Sequence, residues 1–186
     1  MMKRFYTLAL ALLLALSLAA CGGRKTDSAD PGTGGTDGKT DIPSPKANSD
    51  FVFVYKDCPL PMNAEIGPML AFLGEPDSYF EAASCAFDGL DKTYTYSGIE
   101  ILTYPDESKE GVDYISSIRL LDNSVSTPEG ITIGSTPEEV TAAYGEEYEE
   151  HGRQYTYENG DALLSILFQD GKAVSVEYTA VNDLLG

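Results

Sequence analysis

Residues 153–179 read RQYTYENGDALLSILFQDGKAVSVEYT, and this stretch decides the fold. Three runs rich in β-branched and aromatic residues, RQYTYE (153–158), ALLSILFQ (162–169) and KAVSVEYT (172–179), are separated by Asn159-Gly160 and Asp170-Gly171. Those dipeptides accept the positive φ of tight hairpin turns, so the runs predict three consecutive antiparallel strands. In the last run Val174, Val176 and Tyr178 fall on one face and Ser175 and Glu177 on the other. That alternation predicts a sheet with one buried and one wet face.

Working upstream, FVFVY (51–55), KTYTY (92–96), IEILTY (99–104) and DYISSIRLL (113–121) also read as strands, the middle two joined by a hairpin turn at Ser97-Gly98. Helical signals are few. The clearest runs from Pro137 to Tyr144: Thr136 serves as N-cap, Pro137 suits the first helical position, Glu139 completes a capping box and Gly145 stops the helix. A second helix ends at Gly74 after MLAFL (69–73). Its start stays open, because Pro68 would break a helix begun at Asn63.

The sequence also resembles itself. MLAFLGE (69–75) answers VTAAYGE (140–146), YTY occurs at 94–96 and again at 155–157, and SIRL (117–120) answers SVEY (175–178). The order is helix, then β-meander, twice. The expected fold class is α+β, with two tandem repeats over 51–128 and 129–186. Each repeat is a short helical segment packed on an antiparallel meander. Side by side they can form one long sheet with both helices on one face.

The segment IGSTPEEVTAAYGE (133–146) resembles the motif G-x-[ST]-x-x-[EQ]-V-x-x-x-x-G of the β-lactamase inhibitor protein-like superfamily. The resemblance implies a short helical segment on an antiparallel sheet, in two tandem copies as in the inhibitor protein itself. Relatives in that superfamily include a small outer-membrane assembly lipoprotein, so a structural role in envelope assembly is one implied function. The first half lacks the G-x-[ST] start, and no inhibitor contact residue carries over. The whole chain is also similar to small lipoproteins of anaerobic Gram-positive bacteria.

Composition and the N-terminus bound the setting. The chain has 186 residues, 30 acidic against 12 basic, a net charge of −18 and 42 % hydrophobic residues. That acidity excludes phosphate-neutralising nucleic-acid binding. Lys3 and Arg4 precede an uncharged Leu- and Ala-rich run from Phe5 to Ala20, too short to span a bilayer, which needs about 20 residues. The run closes on Leu18-Ala19-Ala20-Cys21 and resembles the lipobox of bacterial lipoproteins. That resemblance implies a signal peptide over 1–20, cleavage before Cys21, and a lipid on Cys21 that anchors the protein to the membrane. The expected location is the outer face of the cytoplasmic membrane or a periplasm-facing membrane. Residues 21–50, rich in Gly, Pro, Ser, Thr and Asp, predict a flexible tether with a reach of about 30 Å. Residues 51–186 hold 6 basic and 25 acidic side chains, so the acidity belongs to the domain that follows.

Candidate chemistry is sparse. Cys58 and Cys85 in an exported domain suggest one disulfide, closing a loop that removes about 3–4 kcal/mol of unfolded-state freedom; two free thiols are the alternative. Asp88, Asp91 and Asp161 lack the spacing of a calcium loop, and neither a metal nor another cofactor is expected. Glu146, Glu147, Glu149 and Glu150 read as a solvated edge. His151, the only histidine, reads as an exposed turn residue, and no catalytic signature is present. Tyr94, Tyr96, Tyr155 and Tyr157, four of the 12 tyrosines, recur in both halves. They either pack the sheet against the helices or form a recognition surface on its other face. The expected function is a non-enzymatic module binding another envelope or extracellular protein. The alternative is an envelope hydrolase acting on glycan or peptide through a carboxylate pair.

Overall fold

A computed structural model of the chain describes residues 51–182. The expected signal peptide, the lipobox with Cys21 and the tether lie outside the described residues. The fold is mostly antiparallel sheet. A two-stranded hairpin, β1 (Phe53–Tyr55) and β2 (Cys58–Leu60), comes first. Then follow α1 (Gly67–Leu73), β3 (Ser78–Ala83), β4 (Leu90–Tyr96), β5 (Ile99–Pro105) and β6 (Asp113–Leu120). After them come α2 (Pro137–Tyr144), β7 (Glu149–His151), β8 (Gln154–Asn159), β9 (Ala162–Gln169) and β10 (Lys172–Ala180). The last eight strands form one sheet in the order β3-β4-β5-β6-β10-β9-β8-β7. The last strand of each meander, β6 and β10, meet antiparallel at the centre.

The strand register makes one face of this sheet the core. A single row crosses seven strands: Tyr79, Tyr94, Ile101, Ile118, Tyr178, Leu164, Tyr157. All of these are buried except Tyr79 on the edge. Phe53, Leu60, Ile66 and Met69 from the hairpin and α1, and Val140 from α2, complete the core over this face. Two matching struts fix the helices to it. The Tyr96 hydroxyl donates to the Gly74 carbonyl at 2.9 Å, and the Tyr157 hydroxyl donates to the Gly145 carbonyl at 3.0 Å. Each strut satisfies a carbonyl just past a helix end, where no further turn can reach it.

Local chemistry explains most boundaries. Thr136 Oγ1 accepts from the Glu139 amide at 3.2 Å and the Glu139 carboxylate accepts from the Thr136 amide at 2.8 Å, so the expected capping box is made. Pro68 sits in the first turn of α1, where its missing N–H costs nothing, so it starts this helix instead of breaking it. Val174 departs from the expected pattern. A bulge between Ala173 and Ser175 inserts one residue in β10, so Ala173 takes the core position and Val174 is 46 % exposed. Three strands were not expected. β2 carries Pro59, and its turn uses Lys56 and Asp57 at positive φ without glycine. β3 is wholly exposed, and β7 is built from Glu149, Glu150 and His151, held in place by β8. His151 is exposed as expected, but in a strand.

At the far end of the sheet, Asp106 accepts from the amide and hydroxyl of Ser108, at 2.8 and 2.6 Å, and from Tyr114. These bonds favour the ionised form, the Ser108 hydroxyl most, and hold the carboxyl at about 2. The stabilisation is therefore present above the ordinary range near 3.8 and is lost as pH falls through about 2. An NMR titration of the Asp106 carboxyl is expected to show this, with Ser108→Ala moving the midpoint back up.

Candidate binding face

The other face of the sheet carries no helix, and its central row is polar. One row crosses all eight strands: Ser78, Thr95, Glu100, Arg119, Glu177, Ser165, Thr156, Glu149. Arg119 and Glu177 face each other on β6 and β10, at the junction of the two meanders. The Arg119 guanidinium reaches Glu177 at 3.2 Å and Glu100 at 3.3 Å, and the Ser117 hydroxyl donates to Glu177 at 3.0 Å. On the next strands Gln154 donates to Thr156 and Ser165, whose hydroxyls lie 3.3 Å apart.

This chemistry follows from strand composition. Short β-branched and hydroxyl side chains stand upright on a pleated surface and bond across strands, so they lose little rotamer freedom when a partner arrives. Apolar groups flank the polar row. Leu102 and Leu163 lie in the row that also holds Phe80, Thr93, Ser117, Thr179 and Glu158, and Leu167 lies on the opposite side beside Gln154. Exposed ion pairs add little free energy, so the Arg119 cluster serves orientation more than stability. The face offers a rigid, hydrogen-bonded plane with apolar flanks and an acidic excess.

Of the two roles expected for the tyrosines, packing against the helices is the one they take, and the recognition surface is not. Tyr94, Tyr96 and Tyr157 are buried on the helix side, and Tyr155 is half-buried against the same core. The four are packing groups and do not form a recognition surface. Their β-strand parity, two apart on β4 and on β8, puts them on the same side as Ile101 and Leu164. Desolvation raises the hydroxyls of Tyr94, Tyr96 and Tyr157 above the ordinary tyrosine range.

Other candidate groups stand apart from this face. Cys58 is buried in β2, with its thiol 3.8 Å from the Pro59 carbonyl and pushed up by burial; Cys85 is exposed beyond β3. Both are free thiols, so the expected disulfide is not formed in this structure. In folded protein carrying Cys21→Ser, a thiol reagent is expected to modify Cys85 quickly and Cys58 only on unfolding. No reactive thiol, even after unfolding without reductant, would point instead to the disulfide. A solvent-open depression of about 750 Å³ lies beside α2 and includes Glu129, Thr132, Ser135, Glu139 and Lys172. Both its carboxylates already have partners: Glu139 in the capping box and Glu129 accepting from Tyr144 at 2.7 Å. Among the described residues no group of three His, Cys, Asp or Glu could hold a metal ion, and Asp88, Asp91 and Asp161 form no such group. Among them, too, no helix is long and apolar enough to cross a membrane.

Compared with known proteins, the chain matches no family model, no curated protein and no solved structure.

Proposed function

We propose that this chain is an exported lipoprotein, lipidated on Cys21, whose uncovered sheet face binds another envelope or extracellular protein without catalysis. The observation that carries this reading is the eight-strand polar row through Glu100, Arg119 and Glu177, left open on the face opposite both helices. A sheet needs only one covered face to be stable, and a second face so ordered and flanked by leucines suits a protein surface better than a small ligand. The acidic excess of residues 51–186 favours a partner with a basic contact face, which it would steer during approach.

The same reading takes the domain as a tandem duplication over 51–128 and 129–186. Three features support it. Helix and four-strand meander follow each other twice. The Tyr96–Gly74 and Tyr157–Gly145 struts occupy the same place in each half. And Arg119 and Glu177, matched by the SIRL and SVEY alignment, lie opposite each other, as a local two-fold between the halves requires. Together with the capped helix α2 inside the motif at 134–145, these features fit the architecture of the β-lactamase inhibitor protein-like superfamily. Fold likeness says little about the partner, so an assembly role rests on the same face.

Anchoring and binding are tested together. Cells producing the full chain are expected to hold it in the membrane fraction, with Cys21→Ser released. The unlipidated protein, immobilised, is expected to retain one stoichiometric envelope protein at low salt and lose it as salt rises. A variant still lipidated without Cys21, or no retained protein at any salt, would count against the corresponding half of the proposal.

A further inference from the structure

The two ends of the sheet differ. β7 is three residues long and carries two glutamates, which blunts it as a pairing edge. β3 (Ser78–Ala83) is six residues long, contains no proline or lysine, and pairs with β4 without a register shift. All six of its residues are exposed; Phe80, at 65 %, is the most exposed large apolar side chain among the described residues, and Tyr79 is 48 % exposed.

Backbone parity fixes what this edge can accept. The Ser84 amide donates to the Gly89 carbonyl at 3.0 Å, continuing the register Ala83 opposite Leu90. By the alternation of antiparallel ladders, Ser78, Phe80 and Ala82 therefore bond toward β4, while Tyr79, Glu81 and Ala83 present N–H and C=O outward. An incoming antiparallel strand must pair with those three.

We propose that the occupant is β3 of a second copy of this chain, paired antiparallel about a two-fold through Phe80. Three symmetric registers bring the central outward-facing residues together. A two-fold at Tyr79 brings Glu81 against Asp77 of the second copy, a like charge whose amide is already given to the Thr95 carbonyl of β4 at 2.8 Å and cannot extend the new ladder. A two-fold at Glu81 sets Glu81 opposite itself, and like charges directly across a ladder are destabilising. The two-fold at Phe80 sets Tyr79 opposite Glu81 on both sides, Ser78 opposite Ala82, and Phe80 opposite Phe80. No charge then faces a like charge, and the phenylalanines occupy the non-hydrogen-bonded position, where side chains approach most closely. Tyr79 and Glu81 are compatible partners, since within one strand the Tyr79 hydroxyl already donates to the Glu81 carboxylate. The pairing joins two eight-stranded sheets into one and leaves the open face free. Each copy is strongly acidic, so the pairing strengthens as salt rises, opposite to the dependence proposed for a basic partner on the open face.

The test is cysteine cross-linking of the full chain in membranes of producing cells, in a Cys85→Ala background under mild oxidation. Phe80→Cys is expected to give a covalent dimer at least about ten times more abundant than Val54→Cys or Val174→Cys, which are 44 % and 46 % exposed elsewhere. Its yield is expected to rise between about 0.05 and about 0.3 M salt. Adding Glu81→Pro removes an outward amide without touching the β3–β4 ladder, and is expected to abolish the dimer. Equal yields from the three cysteines, a yield that falls with salt, or a dimer that survives Glu81→Pro would each overturn the proposal.

Discussion

Tyr178→Ala is expected to destabilise the domain by about 3–5 kcal/mol, the range for removing a large buried aromatic side chain. Tyr178 is 1 % exposed and lies at the middle of the core row, between Ile118 of β6 and Leu164 of β9. Its ring meets Phe53 at 5.6 Å and Phe51 at 6.5 Å between centroids, so it ties the N-terminal hairpin to the sheet. The hydroxyl lies against Tyr144 and Thr127. The cavity left by alanine would open where the two meanders join, with rigid strands on both sides and little room to collapse. Chemical denaturation checks the value. Tyr178→Phe keeps the ring and removes only the hydroxyl, for an expected loss of about 1 kcal/mol. If the two variants lost the same amount, the hydroxyl and not the ring would be the source of the effect.

Lys92→Met is expected to cost about 3 kcal/mol, by a different mechanism. Lys92 Nζ lies 2.7 Å from Asp113 Oδ2, with side-chain exposures of 20 % and 8 %. The hydrogen bond to Asp113 is the main cause that raises the Lys92 ammonium above the ordinary lysine range. Removing the cation leaves a desolvated carboxylate in β6, on a residue that is 7 % exposed and lies opposite Pro105 of β5. The penalty belongs to the orphaned charge, so Lys92→Met combined with Asp113→Leu is expected to recover most of the loss. Thermal unfolding of the two variants reads this directly. A double variant as unstable as the single would mean that the pair itself, and not the unpaired carboxylate, carried the stability.

The central meander was legible because its turns are chemically explicit. Asn159-Gly160, Asp170-Gly171 and Ser97-Gly98 leave little choice of connection, and strands β4, β5, β6, β8, β9 and β10 follow from them. The capping box of α2 was equally local, since Thr136 and Glu139 satisfy each other within one turn. Elements that depend on neighbours were not legible. β7 is three charged residues that become a strand because β8 pairs with them, and β3 takes its extended form from β4. Val174 lies on the other face from Val176 and Tyr178 because a one-residue bulge between Ala173 and Ser175 puts the start of β10 out of step with the rest, and nothing in KAVSVEYT marks it. The open face was the hardest to see. Alternation shows that each strand has a wet side, but the row from Ser78 to Glu149 exists only once the register of eight strands is set. The repeated YTY of the two halves reflects two equivalent struts to two helix ends, from Tyr96 and Tyr157, which composition alone does not distinguish from a recognition surface.

The binding role of the open face is tested most directly by comparing capture on two faces. Unlipidated protein would be immobilised in three forms: unaltered, with Leu102→Asp and Leu167→Asp on the open face, and with Phe72→Asp on the outer side of α1, where Phe72 is 46 % exposed. All three would be checked for folding by thermal unfolding and exposed to the same envelope extract. The predicted result is one stoichiometric protein held equally by the unaltered and Phe72→Asp forms and at least about tenfold less by the open-face variant, a loss of roughly 1.4 kcal/mol or more. Equal retention by all three, or loss only with Phe72→Asp, would contradict the role assigned to the open face.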